Sequence, residues 1–343
     1  MREQGGMTLL RLSIAACAAA VLALPAPSVA ADGQAKPAST SFAVIGDVPY
    51  GAAQIEAFPG WIDRINEQAG LDLAFHVGDI KNGSSPCTDA YSAMIREQFD
   101  RFEMPLLYTP GDNEWTDCHR TAAGAYNPLE RLTALRAAFF ETPGLTLGDP
   151  LKVDSQADLG FPENQSLRTA GVELATLHVV GSNNDRAPWT GIGLTAPTSE
   201  QLAEESARMA AAIDLVEETF ARARRTDARA VALFQQADMF DPGYQPGWDL
   251  SAFQPLVQAL VDEASTFDGE VYLFDGDSHV YNTDRPLATG SRWLAIHGVQ
   301  GSADNLTRVT VDGEANNTNF LQVTLTRPGA GDVLTWERVP YDS

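Results

Sequence analysis

The stretch Leu106-Leu107-Tyr108-Thr109-Pro110-Gly111-Asp112-Asn113-Glu114-Trp115 decides the fold. A short β-prone apolar run breaks at Pro-Gly and passes at once into acid, amide and acid. The same pattern recurs along the chain. Residues 42–45 run into Gly46-Asp47, and 73–77 into Gly78-Asp79. Residues 230–234 run into Gln235-Gln236-Ala237-Asp238, and 271–274 into Asp275-Gly276-Asp277-Ser278-His279. In an open α/β sheet, ligands bind beyond the carboxyl ends of the strands. These strand ends therefore offer oxygen and nitrogen donors to one rim. A glycine ahead of the aspartate lets the backbone turn sharply beside a bound ion. One Gly-Asp pair is ordinary turn chemistry, whereas the ordered set is hard to obtain by chance.

Helix-like periodicity fills the intervals at 52–68, 91–102, 129–140, 199–225 and 251–267. The 199–225 segment starts at the cap signal Thr198-Ser199-Glu200 and is rich in good helix formers. A further strand is expected at 174–180. After residue 290 the pattern changes to strands only, at 293–299, 308–311, 320–326 and 333–339. Neither a repeat nor a long linker divides this region, so residues 41–343 read as one α/β domain with a β-rich C-terminal third.

The 343 residues carry 46 acidic and 23 basic side chains, a formal charge of -23. Such a surface repels phosphate backbones and anionic lipid, which argues against nucleic-acid or membrane-surface partners. Arg2 and Arg11 flank the start of an apolar run over 12–24, followed by Pro25, Pro27 and Ser28-Val29-Ala30-Ala31. This reads as a secretory signal peptide over residues 1–30, with a polar linker over 31–40. The run is short for a membrane span. The mature chain is therefore expected to be periplasmic or secreted, with no membrane attachment after the signal is removed. Cys17 leaves with the signal. Cys87 and Cys118 remain, and in an oxidising compartment the pair suggests one intrachain disulfide, with two free thiols as the alternative.

The order Gly46-Asp47, Gly78-Asp79, Gly111-Asp112-Asn113-Glu114 and Gly276-Asp277-Ser278-His279 resembles the calcineurin-like metallophosphoesterases. Their motifs are Asp-x-His, Gly-Asp, Gly-Asn-His-Glu/Asp, a lone His and Gly-His-x-His. The resemblance covers residues 41–282. The Gly-Asp-Asn-Glu-Trp form, followed by Thr116-Asp117-Cys118-His119, is similar to a divergent secreted bacterial subgroup. The resemblance implies a four-layer α/β/β/α sandwich, with the C-terminal strands fitting its second sheet. It also implies two divalent metal ions and hydrolysis of a small-molecule phosphate ester by a metal-activated water. Matched by position, the metal ligands are Asp47, Asp79, Asp112, Gln236 (or Gln235), Asp277 and His279, with Asp79 shared between the metals. One site would then hold Asp47, Asp79 and His279. The other would hold Asp79, Asp112, Asp277 and a glutamine carbonyl. Hard oxygen donors favour Mn, Fe, Mg or Ca over Zn.

The departures bear on catalysis. Asp47-Val48-Pro49 lacks the histidine of the first motif, and Asn113 stands where the catalytic histidine would be. Asn113 can donate a hydrogen bond but supplies no proton at neutral pH. His119 is the replacement acid if its loop folds back, and an exposed loop histidine otherwise. Asn183, Asn184 and Lys81 are candidates to bind substrate oxygens, and Tyr50 to bond a ligand or substrate. His76, His178 and His297 read as core histidines. The alternative function is a catalytically weak or inactive metal- or ligand-binding protein on the same fold.

Overall fold

Every residue of β1 (Ser41–Ile45) is buried, which is why an unbroken apolar run rather than an alternating one follows Ser41. Phe42 and Val44 enter one core while Ala43 and Ile45 enter another. This computed structural model describes Met1 and residues 40–342. The expected signal peptide, and the expected linker up to residue 39, lie outside the described residues.

The chain continues with α1 (Gly51–Asn66), β2 (Leu71–His76), α2 (Asp89–Phe99), β3 (Pro105–Tyr108), α3 (Pro128–Phe139) and β4 (Leu147–Gly148). Next come β5 (Asp154–Gln156), β6 (Phe161–Thr169), β7 (Val172–Thr176), the short turn α4 (Gly181–Asp185), α5 (Ser199–Arg225) and β8 (Ala230–Phe234). The remainder is α6 (Gln254–Ser265), β9 (Glu270–Asp275), β10 (Asn282–Asp284), α7 (Arg292–His297), β11 (Leu306–Thr310), β12 (Asn319–Leu325) and β13 (Leu334–Pro340).

Two sheets form, in the orders β13-β12-β1-β2-β3-β4 and β10-β11-β9-β8-β7-β6-β5. β1, β2 and β3 are parallel, as are β7, β8, β9 and β11. The sheets meet across an apolar core. There Phe75 stacks on Phe234 at 3.8 Å between ring centroids, and Phe42 sets its edge against both. Outside the first sheet, Phe58, Ile62, Ile95, Phe99, Leu132 and Leu135 bring α1, α2 and α3 onto Ala43, Ala74 and Leu106. Outside the second, α5 and α6 cover Ala175, Leu233 and Leu273 with Leu215, Phe220, Leu256 and Leu260. The layer order is α/β/β/α, as the resemblance implied.

The helix α5 starts where its cap predicts, with a reciprocal capping box between Thr198 and Gln201. Two expectations need correcting. The C-terminal strands do not all join the second sheet: β11 does, whereas β12 and β13 return to the first, antiparallel to β1 and to each other. Residues 293–299 are not a strand. Ser291 caps α7 through Trp293 N, and Gly298 closes it in the left-handed conformation. Trp293 and His297, four residues apart, bury one helical face. The strand β6 was not foreseen, because Glu163, Asn164, Gln165 and Ser166 are polar. They are buried nonetheless, and Glu163 is matched by Arg136 and by His178 at 2.7 Å.

Candidate metal centre

The carboxyl ends of β1, β2, β3, β8 and β9 meet at one rim, and their turns are tied to each other before any side chain is considered. Asp47 N donates to Gly78 O at 2.9 Å, and Gly276 N to Gln236 O at 3.1 Å. Glu114 pins two further turns. Its Oε1 accepts from Asp79 N at 3.1 Å, Gly111 N at 2.7 Å and the Tyr108 hydroxyl at 2.7 Å. Sequence reading passed over Glu114 as a member of the motif with no role of its own.

Asp47, Asp79, Asp277 and His279 all have positive φ, at 55°, 59°, 68° and 62°. For non-glycine residues this costs about 1–2 kcal/mol each. The strain aims their side chains at a common point. One oxygen or ring nitrogen from each of Asp47, Asp79 and His279 lies within 4.8 Å of the others, as does one oxygen from each of Asp79, Asp112 and Asp277. The sequence grouped the same carboxylates and imidazole around a shared Asp79, but the glutamine carbonyl expected in the second set is not among them.

Asp79 is fully enclosed, and neutral donors crowd it. Its Oδ2 accepts from Tyr50 at 2.9 Å, from the Asn113 amide at 2.6 Å and from Gln236 Nε2 at 3.3 Å. Asn113 N donates to Oδ1 at 3.1 Å. Burial first, and then the charges of Asp112 and Glu114, push the Asp79 carboxyl well above its ordinary range. Burial followed by Asp112 and Asp47 does the same to Asp277. Asp47 is also raised by burial, against the pull of His279. His279 has Nε2 3.4 Å from Asp47 and Nδ1 3.1 Å from Glu314. Burial lowers its basicity, but Asp47 and then Glu314 outweigh that, and the net shift is upward. A carboxylate behind one imidazole nitrogen is a common way to orient a metal-ligating histidine. Glu314 lies in the loop after β11, outside every motif read from the sequence.

Ser182 reaches Asp112 Oδ2 at 2.8 Å and Asp117 Oδ1 at 3.1 Å. One hydroxyl has one proton, so both contacts are hydrogen bonds only if one carboxyl is protonated. Burial, followed by the charge of Asp112, pushes Asp117 up to about 8. Ser182 belongs to α4, which is no ordinary helix. Ser182, Asn183, Asn184 and Asp185 all have positive φ, a left-handed turn beginning at Gly181. A Cβ on Gly181 would lie 2.8 Å from Asp112 Oδ2 and 2.9 Å from Asp277 Oδ2. Glycine lets the backbone come this close without displacing either carboxylate.

The donor set fits a divalent cation. Four carboxylates converge with one imidazole, and no arginine or lysine is aimed between them among the described residues. Lys81, the nearby ammonium, is buried and donates instead to the Asn113 and Asn82 carbonyls at 2.6 and 3.0 Å.

Several candidates take different positions from those expected. Lys81 is spent on backbone carbonyls and is closed off from substrate. Asn184 is fully buried and binds Val180 N, Arg208 and Glu205, so it is a structural residue. Asn183 accepts from Ala252 N at 3.0 Å while lining a cavity beside the rim. Gln236 reaches the rim, but its carbonyl accepts from Gly181 N at 2.6 Å, which turns the amide nitrogen toward Asp79 and Asp112. Gln235 donates to Ala237 O instead. His119 accepts from Gly191 N through Nδ1 at 3.2 Å, and no described bond joins it to the acidic rim. Asn113 reaches the rim as a donor to Asp79. Cys87 and Cys118 are bonded as a disulfide with Cα atoms 5.8 Å apart, and both sulfurs lie against the Asn113 carbonyl, at 3.6 and 3.8 Å.

No known family model matches the chain, and no curated protein does. Solved structures resemble it at low identity. GAP50, the anchor in the inner membrane complex of Plasmodium, is 9% identical with a TM-score of 0.46, over 88% of this chain and 89% of that one. A purple acid phosphatase from yellow lupin seeds is 12% identical with a TM-score of 0.44, over 88% of this chain and 52% of that one. A 5'-nucleotidase precursor from Thermus thermophilus is 10% identical with a TM-score of 0.42, over 88% and 54%.

Proposed function

We propose that this chain is a secreted or periplasmic metal-dependent phosphoesterase acting on a small-molecule phosphate ester. The observation that carries the reading is the pair of ligand sets sharing Asp79: Asp47, Asp79 and His279 on one side, Asp79, Asp112 and Asp277 on the other. These residues would hold two divalent cations, Mn, Fe, Mg or Ca in preference to Zn. Such cations supply Lewis acidity toward phosphate oxygens and a nucleophilic water at neutral pH.

The chain's own groups have defined tasks in this reading. Tyr50, Asn113 and Gln236 hold Asp79 by hydrogen bonds that carry no positive charge, so its negative charge stays available to cations. Glu314 orients His279, and Ser182 orients Asp112. The Cys87–Cys118 bond supports an oxidising compartment. The charge of -23 argues against a nucleic-acid substrate.

One observation favours the second reading, a non-catalytic metal-binding relative. Asn113, at the position of the family's catalytic histidine, donates to Asp79 and Tyr50 and brings no titratable proton. One experiment separates the two. The purified chain is equilibrated with each metal, its metal content is measured, and hydrolysis of p-nitrophenyl phosphate is followed. Two bound equivalents with turnover support the enzyme. Two equivalents without turnover on any ester support the binding protein, and no metal uptake overturns both.

A further inference from the structure

Beside the rim lies a cavity of about 500 Å³ that Ser182 and Asp277 line together with an aromatic wall. Tyr244 and Trp248 form that wall, meeting edge to face with ring centroids 6.1 Å apart. Trp293 braces Tyr244 at 5.8 Å, and Phe253 and Leu250 complete the apolar surface. Trp248 is 49% exposed and lines the cavity.

The charged groups lining this space are all acidic: Asp238, Asp241, Asp249 and Asp277. Arg308 takes up the charge of Asp238, and Asp277 belongs to the rim. Asp241 is held by the backbone N–H of Gly243 at 2.7 Å, and Asp249 by the backbone N–H of Ser251 at 3.0 Å and by the Ser251 side chain. Those bonds position the carboxylates without neutralising them. Arg186, which acts on Asp249 from outside the lining, is paired with Glu205 at 3.6 Å.

Aromatic faces with uncompensated carboxylates suit an organic cation. They reject a second phosphate, a carboxylate or a polyanion. We propose that the cavity receives the leaving-group end of the substrate, and that this end is a quaternary-ammonium alcohol esterified to the phosphate. The assignment rests on reading the rim as a phosphoesterase site. It also answers the problem posed by the acidic exterior: the ester reaches the rim with its negative phosphate accompanied by its own cation, which the Asp241 and Asp249 carboxylates attract.

The test begins with the bare cation. Choline chloride is titrated into the full chain equilibrated with Mg²⁺, with NaCl added in parallel as a control for general screening, and tryptophan fluorescence is read. The expected result is saturable binding that NaCl does not reproduce. Trp248→Ala should weaken it about tenfold, and Trp248→Phe should retain most of it. Asp249→Asn, at an exposed position that leaves the fold intact, should weaken it as well. Absence of saturation, or equal affinity in Trp248→Ala, overturns the assignment. The second arm compares phosphocholine with its neutral carbon isostere, 3,3-dimethylbutyl phosphate. A kcat/KM preference of about tenfold for the cation is expected, and equal values overturn the assignment. Hydrolysis of p-nitrophenyl phosphate without choline binding removes the cavity proposal and leaves the phosphoesterase reading standing. Choline binding without hydrolysis of any ester overturns the phosphoesterase reading, and the substrate assignment falls with it.

Discussion

The Asn113 side-chain amide donates to Asp79 Oδ2 at 2.6 Å, and the Tyr50 hydroxyl donates to the same oxygen at 2.9 Å. A carboxylate shared by two candidate metal positions is thus fixed by neutral groups. Tyr50 also sets its ring edge-on to His279, with centroids 5.5 Å apart, so one side chain braces ligands of different turns.

Tyr50→Phe tests that brace, because it removes the hydroxyl and keeps the ring. A hydrogen bond to a buried charged group contributes about 1.5–3 kcal/mol. We expect the metal-loaded variant to lose stability of that order in urea denaturation, and its metal affinity to fall about 10–100-fold, as for other groups behind a ligand. An unchanged midpoint and unchanged affinity would show that Tyr50 does not hold Asp79.

The acidic rim predicts how the metal-free protein responds to pH. Folded Asp79 and Asp277 keep their protons well above the value of 3.8 at which free aspartates titrate, and Asp117 does so up to about 8. Between those limits these three carboxyl groups hold more protons in the folded chain than in the unfolded chain. Stability therefore falls as pH rises. The contribution is complete below pH 3.8 and is lost as pH climbs through the folded values. In EDTA, the Tm should drop between about pH 5 and pH 8, and saturating Mg²⁺ or Mn²⁺ should flatten the curve by stabilising the deprotonated carboxylates. A metal-free Tm that rises over this range contradicts the clustered-carboxylate picture.

Asp79→Asn should act in opposite directions with and without metal. Without metal it removes a carboxyl whose ionisation burial and Asp112, Glu114, Asp47 and Asp277 all oppose, so the Tm in EDTA should hold or rise. With metal it removes the ligand common to both sets. Metal-induced stabilisation should vanish, and activity should fall by more than the roughly 10–100-fold caused by changes behind a ligand. Circular dichroism, metal content and rate are measured on the same sample. Unchanged turnover would mean that the catalytic centre lies elsewhere.

The disulfide gives a separate handle. Cys87 and Cys118 are 31 positions apart and their loop contains Asn113. Closing a loop of this length lowers the entropy of the unfolded chain by the equivalent of about 3–4 kcal/mol. The Cys87→Ser, Cys118→Ser double variant should lose stability of that order. Because both sulfurs press on the Asn113 carbonyl, its metal affinity should fall as well. Loss of stability with wild-type metal affinity would assign the bond to folding alone.

What the sequence made legible follows the physics of each signal. Asp47, Asp79, Asp112, Asp277 and His279 could be found because parallel strands buried on both faces leave unbroken apolar runs, each ending in a turn. Burial of Asn184 and Lys81 could not be read, since a polar residue in a turn looks the same whether it faces solvent or an internal carbonyl. Trp293 lies in six residues whose apolar content suits a strand or a helix equally, and Ser291 and Gly298 decided between them. Glu314 depends on the return of the chain after β11, a long-range event with no local signature. The left-handed turn at Ser182 carries only the weak cue of a Gly-Ser-Asn-Asn run.

That turn supports the most discriminating substitution. A methyl group on Gly181 would lie 2.8 Å from Asp112 Oδ2 and 2.9 and 3.0 Å from the Asp277 carboxylate oxygens. Without metal those carboxyl groups are ends of side chains and can swing by a few tenths of an ångström, so Gly181→Ala should fold with a Tm in EDTA close to wild type. With metal they are held to coordination distances and cannot move, so the methyl competes directly with the ion. Gly181 N also fixes the Gln236 carbonyl, and displacing it would turn the amide that faces Asp79 and Asp112. We therefore expect metal affinity to fall at least tenfold, a threshold set by the lower end of the range for outer-shell changes, while the metal-free melting curve barely shifts. Calorimetric titration with Mn²⁺ and thermal denaturation in EDTA measure the two quantities independently. A variant that is equally destabilised in both states would mean the glycine serves the fold, whereas wild-type metal affinity would mean that no ion sits between Asp112 and Asp277.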